Sequence, residues 1–93
     1  MPRQQAHIEV TTDWTQLTDG DATTITFQAT TGPVEIRRGS SATPADSAKG
    51  FRYGTGQGER DLAVASLAPA SSGQRVWGRS LTANTETVVV DHA

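Results

Sequence analysis

Residues 74–91, QRVWGRSLTANTETVVVD, constrain the fold of this chain more than any other stretch. The β-branched run at 87–90 favours a pleated strand. A second short β-type segment, which contains a valine and a tryptophan, lies between Arg75 and Arg79. The polar residues between the two segments include Asn84, and asparagine tolerates the backbone angles of a turn. The stretch therefore predicts two antiparallel strands that pair directly as a hairpin.

A second hairpin is predicted at residues 23–38. Three apolar side chains alternate with polar ones along 23–29, which is typical of a half-buried strand. Gly32 and Pro33 then supply a turn, and the alternation resumes along 34–38. We expect the inward-facing side chains of both hairpins to share one core: Ile25, Phe27, Val34, Ile36, Val88 and Val90.

Short apolar segments elsewhere add further strands. Residues 7–11 alternate apolar and polar side chains, and residues 51–53 form a short aromatic strand. Residues 62–67 favour a strand, although their alanine content also permits a helix. Segments rich in turn-forming residues separate the strands, at 18–21, 39–50, 54–58 and 69–73. The spacing predicts an all-β fold, a small antiparallel β-sandwich or barrel of about seven short strands.

Length and composition predict one small domain. The chain has 93 residues, which we divide into an N-terminal arm at 1–6 and a single β domain at 7–93. A domain of this size buries only about 60% of the surface that its unfolded chain exposes, so its stability is marginal. The sequence has no cysteine, so neither a disulfide nor a thiolate metal site adds to that stability. A tightly packed core or a partner must supply it.

The distribution of charge argues against a nucleic-acid partner, and the lack of a long apolar run argues against a membrane-spanning segment. The formal net charge is −2, with both signs spread along the chain. A nucleic-acid-binding domain needs a clustered basic face instead. The sequence also has no run of about 18 apolar residues, the length that spans a bilayer.

No motif in the sequence predicts catalysis, a metal ion or another cofactor. Gly54, Gly56 and Gly58 precede charged residues and a strand, whereas a phosphate-binding glycine loop opens a helix. His7 and His92 lie at opposite ends of the chain, without a local ligand pattern. Serines are numerous, but no G-x-S-x-G nucleophile elbow occurs. We therefore predict that the protein is not an enzyme and has no cofactor.

The aromatic residues permit two interpretations. On a strand, Arg75, Trp77 and Arg79 share one face. Trp77 is then either buried in the sandwich, with the arginines curling outward at the edges, or exposed between them as an interface anchor, since Trp and Arg dominate interface hot spots. Phe51 and Tyr53 also share a face, and they form either core or a platform on which a sugar stacks.

Several segments follow one another in a recognisable order: Trp14, VEIR at 34–37, SSATP at 40–44, GFRYG at 50–54, GQRVWGRS at 73–80 and TVVV at 87–90. In this order the chain resembles small structural proteins of tailed phages, the capsid decoration or cement proteins. The resemblance implies a virion protein at the capsid surface that binds the major capsid protein and stabilises the shell. It further implies a homo-oligomer, with a trimer favoured, that has neither catalytic activity nor a cofactor.

The predicted partner interface combines the N-terminal arm, which we expect to lie on a neighbouring subunit, with the tryptophan face: Arg3, Gln4, Gln5, Arg75, Trp77 and Arg79. Two other functions stay open. One is a carbohydrate- or receptor-binding module of a phage tail fibre or tail tip, in which exposed aromatic residues and the 54–61 loop face glycans. The other is a β-sandwich adaptor domain in a cell.

Overall fold

The alternating segments of the sequence form eight β-strands in a computed structural model, which describes residues 4–18, 22–40, 42–66 and 74–92. In chain order the strands are β1 (Gln4–Val10), β2 (Thr15–Gln16), β3 (Thr24–Ala29), β4 (Val34–Gly39), β5 (Phe51–Tyr53), β6 (Gly58–Ala63), β7 (Arg75–Ser80) and β8 (Glu86–His92). One three-residue 3₁₀ turn, Val64–Ser66, follows β6.

The strands pack as two antiparallel four-stranded sheets. The first sheet has the order β1-β8-β3-β6, and the second has the order β2-β7-β4-β5. The predicted all-β fold is therefore confirmed, and of the two forms considered it is the sandwich. The strand count exceeds the expected seven because the two-residue β2, next to Trp14, pairs with β7.

The strand connectivity is that of a jelly roll. The antiparallel pairs β1–β8, β2–β7, β3–β6 and β4–β5 are all present, so the chain behaves as one long hairpin whose tip lies between β4 and β5. When that hairpin folds over on itself, β8 comes to lie beside β3 and β7 beside β4. These contacts join the strand pairs into two four-stranded sheets. Except at β4 and β5, successive strands therefore lie in opposite sheets.

Both predicted hairpins are wrong for this reason. The strands at 24–29 and 34–39 exist, but β3 lies in the first sheet and β4 in the second. The strands of the 74–91 stretch, β7 and β8, are divided in the same way. The segment after β3 is fastened to β8 instead, because the Thr31 hydroxyl donates to Glu86 Oε1 (3.0 Å) and accepts from the Thr87 amide (2.9 Å). Gly32 leaves room there for the Glu86 carboxylate, which would have to shift to make way for a Cβ.

The hydrophobic core lies between the two sheets. All six side chains expected to share it do so, each no more than 2% exposed: Ile25, Phe27, Val34, Ile36, Val88 and Val90. The Phe27 ring of β3 meets the Tyr53 ring of β5 edge to face, with centroids 5.0 Å apart. Burial of each large apolar side chain contributes about 1.5–3 kcal/mol to stability. The predicted core is confirmed, although its strands pair differently.

The ends of several elements differ from the predictions. The first strand begins at Gln4, so Gln4 and Gln5 pair with His92 and Asp91, while Arg3 lies outside the described residues. At 62–67, the strand ends at Ala63 and the 3₁₀ turn follows, while position 67 lies outside the described residues. Positions 19–21 of the turn predicted at 18–21 also lie outside them. The described residues include no helix that could span a membrane.

Candidate functional site

The outer face of the second sheet is covered by the chain's own residues 40–50, which we call the strap; position 41 lies outside the described residues. Its main chain takes part in six hydrogen bonds with side chains of the body of the protein. Five strap carbonyls accept and one strap amide donates. The strap is therefore held by its backbone, and most of its own side chains face solvent.

A buried ion pair lies at the centre of this layer. Arg79 Nε donates to Glu35 Oε1 at 2.7 Å, and the Glu35 side chain is only 3% exposed. The Gly50 amide donates to Glu35 Oε2 at 2.9 Å. Burial alone would raise the pKa of Glu35, but the hydrogen bonds from Gly50 and Arg79 and the charges of Arg79 and Arg52 outweigh it, so this pKa lies below its ordinary value. Glu35 is thus held as a carboxylate.

Arg79 also ties the strap to the sheet. Its terminal nitrogens donate to the carbonyls of Asp46 (2.8 Å) and Ala48 (3.0 Å). Its guanidinium carbon lies 4.4 Å from the centroid of the Trp14 ring, which adds a cation–π contact. The Arg79 side chain thus contacts Glu35, the Trp14 ring and the strap at the same time.

Two tryptophans complete the layer. Trp14 Nε1 donates to the Ala45 carbonyl at 3.1 Å, and Trp77 Nε1 donates to the Ser40 carbonyl at 2.9 Å. Each indole is only 6% exposed, and neither belongs to the apolar core between the sheets. Both rings are buried because the strap covers them.

Trp77 is buried, as the first interpretation expects, but it lies beneath the strap on the outer face of the second sheet rather than inside the sandwich. The strand period is as expected, because Val76 and Gly78 face the core while Trp77 takes the opposite face. Arg79 has internal partners, and Arg75 donates to Gln16 Oε1 at 3.4 Å. The partner contacts expected of these side chains stay a prediction, since no partner chain is present.

Sequence reasoning missed the strap because nothing in SSATPADSAKG predicts contact with a sheet. The one local signal is a glycine at each junction. A Cβ on Gly39 would lie 2.9 Å from the Trp77 ring, and a Cβ on Gly50 would collide with the Ile36 carbonyl. Close approach therefore requires glycine at both positions.

The edge strand β5 carries the largest exposed apolar side chain of the described residues. Phe51 is 49% exposed, although it lies opposite the fully buried Ile36. β5 pairs with β4 on one side, and none of the described strands lies on its other side. Lys49 and Arg52, both exposed, flank Phe51 in the sequence. Arg52 pairs with Glu35 and so points to the opposite face of β5 from Phe51, which pairs with Ile36. This edge therefore presents an aromatic ring on one face and a cationic side chain on the other.

Neither interpretation of Phe51 and Tyr53, core or sugar platform, applies to both rings, because Phe51 is exposed whereas Tyr53 packs against the core. Tyr53 is half-buried against Phe27, and its hydroxyl donates to Glu59 Oε2 at 3.1 Å. Burial, the hydrogen bond to Glu59 and the charge of that carboxylate together raise the pKa of Tyr53 to about 12. Only Phe51 of the pair is available to a partner.

The first sheet carries a separate surface groove of about 250 Å³ at the β3–β6 edge. It lies beside an irregularity in the β3–β6 pairing, where the register shifts between Ile25 and Phe27. At no place in the described part of the chain do three metal-binding side chains converge.

The fold and these surfaces define a small jelly-roll sandwich with one face sealed by its own strap and one exposed aromatic edge. Comparison with known proteins adds no family to this description. No protein-family model, no curated protein and no solved structure matches the chain.

Proposed function

We propose that the protein is a structural accessory protein of a virion, a capsid decoration or cement protein that binds the outer capsid surface and stabilises the shell. The virion assignment rests on the resemblance described above. The observation that supports a binding role is the half-exposed Phe51 on the free edge of β5. The proposal involves no catalytic step and no cofactor.

A free strand edge favours a protein partner. Its unpaired backbone groups form a template for an added strand, and natural proteins usually protect such edges. Phe51 adds an apolar contact, while Lys49 and Arg52 favour an acidic partner surface. We assign this edge as the docking surface for the major capsid protein.

The strap makes this edge rigid. Gly50 precedes Phe51 directly, and its amide is bonded to Glu35, which Arg79 holds in turn. A pre-organised edge loses less conformational entropy on binding than a mobile one. Repetition over a symmetric shell, or within a trimer, then converts weak single contacts into strong retention. Contacts of Arg3, Gln4 and Gln5 with a neighbouring subunit remain part of the proposal.

Particles assembled without this chain provide the test. Purified protein is added, and its occupancy is measured by co-sedimentation, with the melting temperature of the free protein as the control for folding. Phe51→Ala should lower the affinity by about 2 kcal/mol, roughly 30-fold, without a change in melting temperature. Glu9→Ala, on the opposite edge strand β1, should bind as the wild type does. Undiminished binding of Phe51→Ala would refute this docking edge.

Imaging of the decorated particle separates the decoration role from the tail module. Copies that follow the symmetry of the whole capsid lattice support a cement protein. A few copies at a tail tip would support the carbohydrate- or receptor-binding alternative instead. Absence from particles would leave the adaptor alternative and refute the virion assignment.

A further inference from the structure

The described strands leave two edges on each sheet of the sandwich. The edge strands are β1 and β6 in the first sheet and β2 and β5 in the second. The main-chain groups of an edge strand form a template for another strand, so soluble proteins keep their edges short, bulged or charged. The four edges of this protein differ in how far they are protected in these ways.

Three of these edges are protected. β2 has two residues and β5 has three, so each offers few main-chain groups to an added strand. β6 has six residues, but its register against β3 shifts, and Asp61 has a φ of 50°, which a non-glycine residue rarely adopts. The Asp61 amide donates to Thr26 Oγ1 at 2.9 Å. An irregularity of this kind interrupts the row of donors and acceptors that an added strand needs.

The remaining edge, β1, has none of these protections. Its seven residues pair with β8 without a shift in register. Glu9 is its only residue of the types Asp, Glu, Lys and Arg. None of the described strands lies on its other side, and within the described part of the chain its main chain bonds to no other element. β1 is therefore a long, regular edge that is open to another strand.

The sequence of β1 suits antiparallel pairing with a second copy of itself. If the pairing is centred on His7, all seven residues of one copy pair with all seven of the other. Glu9 then lies opposite Gln5 of the second copy, and Ile8 lies opposite Ala6. No like charges face each other in this register, whereas a register centred on Glu9 would place two carboxylates directly opposite each other.

The side chains on the two faces of β1 are compatible with this arrangement. His7 and Glu9 are exposed and pair with Val89 and Thr87, on the outer face of the first sheet. Ile8 is half-buried and packs against the core. A two-fold axis perpendicular to the sheet keeps outer faces together and cores on the same side, so no buried side chain has to turn outward.

We propose that two copies of the chain pair through β1 about a two-fold axis at His7, and that their four-stranded sheets join into one continuous sheet. About six to eight main-chain hydrogen bonds form across the axis. Each copy uses the same edge, so the assembly closes as a dimer, whereas the resemblance favoured a trimer. A Kd on the order of 100 µM is expected for so small an interface. The β5 edge lies on the other sheet and stays free, so this proposal is independent of capsid docking.

The absence of cysteine from the chain allows a direct test. In His7→Cys the two thiols face each other across the axis, with the Cα atoms about 4.5–5.5 Å apart, which suits a disulfide. In a glutathione redox buffer this variant should form a covalent dimer. Glu9→Cys is the matched control on the same strand, because its two copies lie roughly 14 Å apart. Arg60→Cys is the control on the bulged β6 edge, and both controls should stay uncrosslinked.

Sedimentation equilibrium from about 10 µM to 1 mM, a range that brackets the expected Kd, measures the association without a crosslink. The wild type should show a monomer–dimer equilibrium. His7→Lys places two like charges opposite each other and should weaken the dimer at least tenfold. Arg60→Glu and Phe51→Ala should dimerise as the wild type does, and the melting temperature of dilute protein controls for folding.

The proposal is refuted if the wild type is monomeric or trimeric at 1 mM, a concentration well above the expected Kd. Undiminished dimerisation of His7→Lys refutes it as well, and so does crosslinking of Glu9→Cys or Arg60→Cys as fast as that of His7→Cys. Neither experiment uses particles or depends on Phe51, so failure here is distinguishable from failure of capsid docking.

Discussion

The two faces of the second sheet are buried to the same degree by different means. On the inner face, Ile36 is fully buried among apolar side chains of both sheets. On the outer face, the neighbouring Glu35 is only 2% exposed, yet its partners are Arg79 and the Gly50 amide. The inner face excludes water by apolar packing. The outer face excludes it by polar groups that bond to one another beneath the strap.

The comparison separates stability from positioning. Apolar burial stabilises the fold without requiring one particular arrangement. A buried ion pair contributes little net free energy relative to an apolar replacement, because desolvation offsets the attraction. Removal of only one partner is costly, however, because the other charge then stays buried without compensation. We infer that the inner face stabilises the sandwich, whereas the outer layer fixes the strap and, through it, the β5 edge.

The largest expected effect is on the inner face. Phe27→Ala should lower the free energy of unfolding by about 3–5 kcal/mol, because it removes a buried ring that joins both sheets. Urea denaturation followed by tryptophan fluorescence measures this loss. The matched control is Phe51→Ala, which removes the same ring at an exposed position and should change stability by less than about 0.5 kcal/mol. Equal losses in the two variants would contradict the assignment of core and edge.

The outer layer should give the next effect. Arg79→Ala should lower the free energy of unfolding by about 2–3 kcal/mol, since it leaves Glu35 buried and unpaired and releases two strap carbonyls. Replacing both partners, with Glu35→Leu and Arg79→Met, should cost less than the single change, because no buried charge remains. Urea denaturation of both variants compares their losses in the free energy of unfolding. A double variant that is less stable than Arg79→Ala would show that the pair itself stabilises the fold.

The acid dependence of stability sharpens this test. The pKa of Glu35 is lowered in the folded protein, so its contribution is present above the unfolded value of about 4.3 and is lost as pH falls through the folded value. Glu35→Gln removes this titration. Its stability should therefore decline less steeply below about pH 4 than that of the wild type.

The smallest effect concerns the link between the sheets at Tyr53. Because folding raises the pKa of Tyr53 to about 12, its contribution is complete below the unfolded value of about 10 and is lost as pH rises towards 12. The wild type should therefore lose stability across this interval more steeply than Tyr53→Phe, which has no phenol to ionise. Denaturation at a series of pH values compares the slopes, and parallel slopes would contradict the buried hydrogen bond to Glu59.

Local patterns in the sequence are enough to place most strands and to identify the buried face of each. Alternation at 24–29 and 34–39 places Phe27 and Ile36 in the core, and the β-branched run places Val88 and Val90 there. This information is local, because a period of two along a strand depends only on neighbouring residues. The same alternation correctly sets Trp77 opposite Val76.

The pairing of the strands and the covering of the outer face depend instead on contacts between distant parts of the chain. A strand buries the same side chains whether the next strand lies beside it in the sheet or across the core, so alternation cannot distinguish a hairpin from a jelly roll. The strap cannot be predicted from the pattern of side chains, for a related reason. The rest of the protein binds the strap through main-chain carbonyls and one main-chain amide, and every sequence has such groups. Glu35 and Arg79, 44 residues apart, meet only because β4 and β7 pair, and that pairing is settled by the burial and hydrogen bonding of the whole chain.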